Sequence, residues 1–91
     1  MDLFQKVKAA IRLTTDDEGI NEEVQTLIWA AKADLLSTGI RLEDDPLFEL
    51  AVMTYCKANF GFDNPEAERF FAAYESIKHK MMNTAEYRNA Q

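Results

Sequence analysis

Asp45-Pro46-Leu47-Phe48-Glu49-Leu50-Ala51-Val52-Met53-Thr54-Tyr55-Cys56-Lys57-Ala58-Asn59-Phe60-Gly61 is the stretch on which the fold class turns. Aspartate is a favoured N-cap because its carboxylate accepts from backbone N–H groups that have no partner inside the first turn. Proline at the next position has no N–H to leave unpaired, and its φ is already helical. From there apolar residues fill nearly every face, with only Glu49, Thr54, Lys57 and Asn59 as polar breaks, and Gly61 closes the run. The stretch reads as a central helix from Pro46 to Phe60, contacted from several sides. It carries more apolar surface than a lone small domain needs, so part of it is expected to be covered by another protein chain.

Downstream, Asp63-Asn64-Pro65 repeats the cap-then-proline signal. Ala67, Phe70, Phe71, Tyr74, Ile77 and Met81 then keep the helical period, while Glu68, Arg69, Glu75 and Lys78 fall outside the apolar stripe. Residues 83–91 are polar and are expected to fray or to await a partner, so the domain is expected to span 1–82 with a tail at 83–91.

Upstream, Val24, Leu27, Ile28, Ala31 and Leu35 form the stripe of a core-facing helix from about Glu22 to Ser37. Asn21 is its expected N-cap and Gly39 its C′ residue. A second row, Trp29, Ala33 and Leu36, is rotated away from that stripe. The tryptophan either extends the core or meets a neighbouring subunit, a use for which Trp is enriched. Leu3, Val7, Ala10 and Ile11 give a short first helix from Asp2 to Arg12. It ends in the turn-forming loop Thr14-Thr15-Asp16-Asp17-Glu18-Gly19. Ile40-Arg41-Leu42 has room for a brief extended stretch. Period-two alternation is missing over any useful length, and no repeat is visible. The expected fold is therefore all-α: a compact bundle of about four helices with short loops.

At 91 residues the chain has room for one domain. Its formal charge is −6, with five acids and no base between Thr14 and Glu23 and four acids and no base between Glu43 and Glu49. These acids lie mainly where helices begin, where the macrodipole favours them. An acidic chain is poorly suited to gripping a phosphate backbone, whose affinity comes from Lys and Arg releasing counterions. Cys56 is the single cysteine, so no internal disulfide can form and a reducing compartment is expected. The first eight residues hold no uninterrupted apolar stretch, and no segment approaches bilayer-spanning length, so no membrane role is expected.

Catalytic chemistry lacks its parts. His79 is the sole histidine and is flanked by Lys78 and Lys80, which repel a metal. A nitrogen or sulfur metal site would have too few ligands. Asp16-Asp17-Glu18 and Glu43-Asp44-Asp45 lack the alternate spacing and terminal Glu of a calcium loop. Cys56 has no histidine on its own helix; a pair with His79 across helices stays open, although apolar surroundings raise a thiol's pKa and keep it inert. The three glycines form no phosphate cradle. No enzymatic activity, cofactor or metal is expected.

Taken in order, these pieces resemble a known family. Val7-Lys8-x-x-Ile11-Arg12-Leu13, the acidic loop Asp16-Asp17-Glu18 and Leu27-Ile28-x-Ala30-Ala31-x-x-x-Leu35 ending at Gly39 are similar to the N-terminal half of the small head-tail connector proteins of long-tailed bacteriophages and prophages. Asp45-Pro46-x-x-x-Leu50-Ala51-Val52-x-x-Tyr55, then Lys57-Ala58-Asn59-Phe60-Gly61 and Phe70-x-x-x-Tyr74, are similar to the second half. The resemblance runs from about Leu3 to Met82. It implies a non-enzymatic structural virion protein, made in the bacterial host cytoplasm and placed at the head-tail junction. It implies a homo-oligomeric ring, commonly of twelve subunits in that family, docked to the portal protein. A tail-completion or stopper protein attaches to that ring, and DNA passes through without specific binding.

A ring requires two different patches per subunit that meet head to tail. The rows Trp29/Ala33/Leu36 and Phe48/Val52/Tyr55 are the candidates for subunit contacts, and Asp16, Asp17 and Glu18 for an acidic channel-facing loop. The rival reading is a small helical adaptor or regulator that takes a partner helix in an apolar groove. A helix-turn-helix DNA reader is disfavoured, because no basic recognition helix is present.

Overall fold

The computed structural model describes residues 2–12, 17–41, 45–61 and 64–89. Its elements are α1 (Leu3–Ala10), α2 (Glu18–Ser37), α3 (Pro46–Asn59), α4 (Ala67–Met82) and α5 (Ala85–Asn89). No strand occurs among the described residues, so the fold is all-α. Ile40 and Arg41 lie outside any helix without forming one, and Leu42 lies outside the described residues.

The caps explain where the helices start. The Asp45 carboxylate accepts from the N–H groups of Leu47 at 2.9 Å and Phe48 at 3.4 Å, with Pro46 as the first helical residue. Helix α2 begins earlier than expected. Asp17 caps it by accepting from Ile20 N–H at 3.1 Å, so the acidic segment supplies the cap and Asn21 is carried inside the first turns. The Asn21 side-chain oxygen is consequently buried without a hydrogen-bond partner among the described residues. At α4 the Asn64 side-chain oxygen accepts from Glu66 N–H at 3.1 Å, which makes a turn ahead of the helix; Asp63 lies outside the described residues. Gly39 and Gly61 follow α2 and α3 with φ of +94° and +84°, a left-handed conformation that closes a helix at little cost only for glycine. Arg12 takes φ +61° after α1, an uncommon conformation for a residue with a Cβ.

Helix α3 is the hub. It packs against α1, α2 and α4, while α2 also packs against α1. Phe48, Ala51, Val52 and Cys56 of α3 meet Val24, Ile28, Ala31 and Leu35 of α2, Val7 of α1, Ile40, and Tyr74 and Met81 of α4 in one buried cluster. The inner stripe read for α2 is thus the one the core uses, with Leu27 half-buried beside it.

Residues 85–89 form α5, and Tyr87 packs against the core. Arg41 N–H donates to Tyr87 C=O at 2.6 Å, and the Tyr87 hydroxyl donates to the Asp45 carboxylate at 2.8 Å. The segment therefore ties the α2–α3 connection to the cap of α3. Burial, and then the bond to Asp45, push the Tyr87 hydroxyl above its usual pKa.

Candidate assembly surface

Once the core is closed, the large apolar side chains left exposed among the described residues are Trp29 on α2, 65% exposed, Phe71 on α4, 50%, and Leu50 on α3, 45%. Trp29 lies opposite the buried stripe. Counting along α2 in steps of three and four, Glu18, Glu22, Thr26, Trp29, Ala33 and Leu36 form one line, exposed throughout except for the half-buried Leu36. The outer face of α2 is therefore acidic where the helix begins and apolar from its middle onward.

The candidate contact rows separate. Trp29, Ala33 and Leu36 lie on that outer face. Phe48 and Val52 are 1% and 0% exposed, because α1, α2 and α4 close over α3 on those sides, and within one chain they offer no surface to a partner. Tyr55 is half-buried, with its ring edge-on to Tyr74 at 5.1 Å. The expectation that α3 as a whole stays incompletely covered is corrected accordingly: Leu50 is its one large apolar residue left exposed. Asp17 and Glu18 are exposed at the start of α2, and Asp16 lies outside the described residues.

A polar cluster that sequence reasoning missed joins α2 to α4. The Tyr74 hydroxyl, almost fully buried, donates to the Asp34 carboxylate, and Lys78 donates to the same oxygen at 3.0 Å and to Glu75 at 3.0 Å. Burial pushes the Asp34 carboxyl up, but the hydrogen bonds from Tyr74 and Lys78 outweigh it and hold the group below its ordinary value. Burial also pulls the Lys78 ammonium down, and its bonds to Glu75 and Asp34 reverse that, leaving it raised. The Tyr74 hydroxyl is driven well up, first by burial and then by its bond to the Asp34 carboxylate. The signal lay at Asp34, an acid directly beside the buried stripe of α2.

A second missed feature is a cleft of about 600 Å³ at the end of the bundle where α1 and α3 finish and α4 begins. Arg12, Lys57, Phe60, Glu66, Arg69 and Phe70 line most of it. Lys57 and Arg69 lie over the Phe70 ring, at 5.4 and 5.0 Å from its centroid. Arg69 pairs with Glu66, whereas Arg12 and Lys57 have no carboxylate partner among the described residues. Arg12 is far in sequence from the others, which come from the end of α3 and the start of α4, and they become a cluster only when the helices pack.

The groups considered for chemistry stay apart. Cys56 is fully buried, and burial pushes its thiol up to about 12, while His79 is exposed on α4, 3.8 Å from Glu75. No group of three or more potential metal ligands occurs among the described residues. No helix among them is long and apolar enough to cross a membrane.

A family model described as phage connector protein matches residues 3–88. The chain belongs to that family, which is structural and non-enzymatic and contributes to the virion. Among curated proteins and solved structures, none matches the chain.

Proposed function

We propose that this phage connector protein assembles with copies of itself into a ring at the head-tail junction. In that reading the ring docks on the portal protein, a tail-completion or stopper protein attaches to its other side, and DNA crosses the central channel. The observation that carries the reading, beside family membership, is the outer face of α2. The core is complete without Trp29, yet Trp29 stands 65% exposed in line with Ala33 and Leu36. Large aromatic side chains left outside a finished core suit protein contacts more than solvent. Leu50 and Phe71 lie on other helices, so a second patch that differs from the first is available, as head-to-tail closure requires. A net charge of −6 suits passage of DNA without capture, because few cations are present to displace its counterions.

Light scattering on the chromatographed chain, alone and mixed with purified portal assemblies, tests the proposal. Rings of ten or so subunits, free or on the portal, are the expected result. A strict monomer or dimer that ignores the portal at high concentration overturns it and favours an adaptor that binds a partner helix.

A further inference from the structure

We propose that the cationic cleft of one copy receives the acidic first turns of α2 from a second copy, with Glu18 and Glu22 facing Arg12 and Lys57. This deepens the head-to-tail assembly proposed above and rests on it.

The observations that carry it are charge, exposure and placement. In a chain of net charge −6, the described lining of the cleft gathers Arg12, Lys57 and Arg69 against one acid, Glu66, which Arg69 already engages. Lys57 and Arg69 already lie over the Phe70 ring, which leaves that ring less free to stack with a base. A carboxylate, by contrast, meets two cations that have no carboxylate partner among the described residues. Glu18 and Glu22 are a turn apart on α2, exposed, and without an ion-pair partner among the described residues. Arg12 is held beside the cleft in a left-handed conformation that favours glycine, so an arginine there costs backbone energy that glycine would not.

Placement suits a closed ring. The Gly61 N–H donates to Glu23 at 3.5 Å, so α2 starts at the same end of the bundle as the cleft. Around α3, α4 is bonded to α2 through Tyr74 and Asp34, and α2 packs on α1, while α1 and α4 make no comparable contact. The cleft opens between the end of α1 and the start of α4, and no α2 residue is among its described lining. Donor and receptor patches thus lie on different helices at one level along the bundle. Contacts between patches at one level close into a flat ring more readily than into a rising filament. The assignment places Glu18 in a subunit contact rather than on the channel wall.

The test uses full-length chains in sedimentation equilibrium at low salt, with circular dichroism to establish that each variant is folded. One variant reverses the cleft (Arg12→Glu with Lys57→Glu) and the other reverses the helix start (Glu18→Lys with Glu22→Lys). If the half-buried Lys57→Glu change unfolds the chain, Arg12→Glu alone replaces it. Each variant alone is expected to self-associate about tenfold or more weakly than wild type, because every contact now joins like charges. An equimolar mixture is expected to recover association to within about twofold of wild type, since each reversed cleft then meets a reversed helix start. Wild-type association by both single variants, together with its loss in Trp29→Ala, overturns this inference and leaves the self-assembly reading standing. A wild-type chain that never self-associates removes both. Duplex DNA binding that the cleft variant abolishes, with association unchanged, would assign the cleft to phosphate instead.

Discussion

Replacing Trp29 by alanine separates monomer stability from assembly, and the structure allows both effects to be sized. An aromatic side chain of this class presents up to about 250 Å². With 65% of the residue exposed, about 160 Å² stands in solvent and about 90 Å² is already covered inside the chain. At about 25 cal/mol per Å², the covered part is worth ~2 kcal/mol to the monomer. Alanine keeps some of that through its own methyl group and gains ~0.5 kcal/mol of helix propensity, so the expected loss is about 1 kcal/mol. For a domain of this size that lowers the melting temperature by about 4–8 °C. Burying the outer part in a subunit contact is worth up to ~4 kcal/mol, of which about half survives the cost of ordering the interface. Losing about 2 kcal/mol per contact weakens association about thirtyfold. A dilution series followed by light scattering reads the second number, and a thermal melt by circular dichroism reads the first. In wild type, Trp29 is the only tryptophan, so its emission should shift to the blue as the chain is concentrated. A variant that associates like wild type refutes the assignment of the outer α2 face, and a loss above about 3 kcal/mol would put the indole in the core instead.

Other perturbations report on the frame behind that face. Tyr74→Phe removes a buried hydroxyl that donates to the Asp34 carboxylate and should cost about 1.5–2 kcal/mol in a urea titration, near the low end for a charge-assisted bond because Asp34 itself is partly hydrated. Asp34 is held below its ordinary value in the folded chain, so its stabilisation is complete above the unfolded value of about 4 and disappears as pH falls through the folded value. Asp34→Asn should therefore flatten the acid limb of the stability profile measured by urea midpoints. Ending the chain after Thr84 removes Tyr87 from both Asp45 and the Arg41 amide, and should lower stability by about 1–3 kcal/mol in the same titration. Alkylation of Cys56, whose thiol is raised to about 12 and fully buried, should proceed at the rate of unfolding at pH 8; fast labelling of the folded chain would contradict its placement.

What the sequence disclosed follows from periodicity and caps, which are local. The buried stripe of α2, the Asp45–Pro46 start of α3 and the glycines after α2 and α3 are all set within a few residues of themselves. The start of α2 was misplaced because Asp17 and Asn21 are both competent caps, and their order in the chain does not say which one the helix selects. The polar tail hid its role for a related reason. Tyr87 is one aromatic in a hydrophilic stretch, and its partners, Arg41 and Asp45, are supplied from more than forty positions away. Phe48 and Val52 illustrate the opposite error. An all-round apolar helix signals burial, but whether that burial is completed by the same chain depends on three other helices arriving at angles no window of sequence contains. Asp34 and the Arg12–Lys57–Arg69 cleft were illegible because each exists only as a meeting of separate helices.

Closing α3 within one chain relocates the reason for assembly rather than removing it. If the hub helix had been left bare, association would be coupled to folding, and a lone copy would be a poor intermediate with its core exposed. Here the described core is closed, and the large apolar side chains left exposed among the described residues are Trp29, Leu50 and Phe71, on three different helices. No single one of these is large enough to hold two copies together at low concentration. In the proposed ring, a set of modest contacts, one acidic and apolar along α2 and another cationic between α1 and α4, would become strong only when both are made by every copy. Such a subunit can be produced and stored as a folded monomer and then cooperatively ordered on a template that presents many copies at once. The portal vertex is the surface that the family reading supplies for that role, and its presence should lower the concentration at which rings form more than any single substitution raises it.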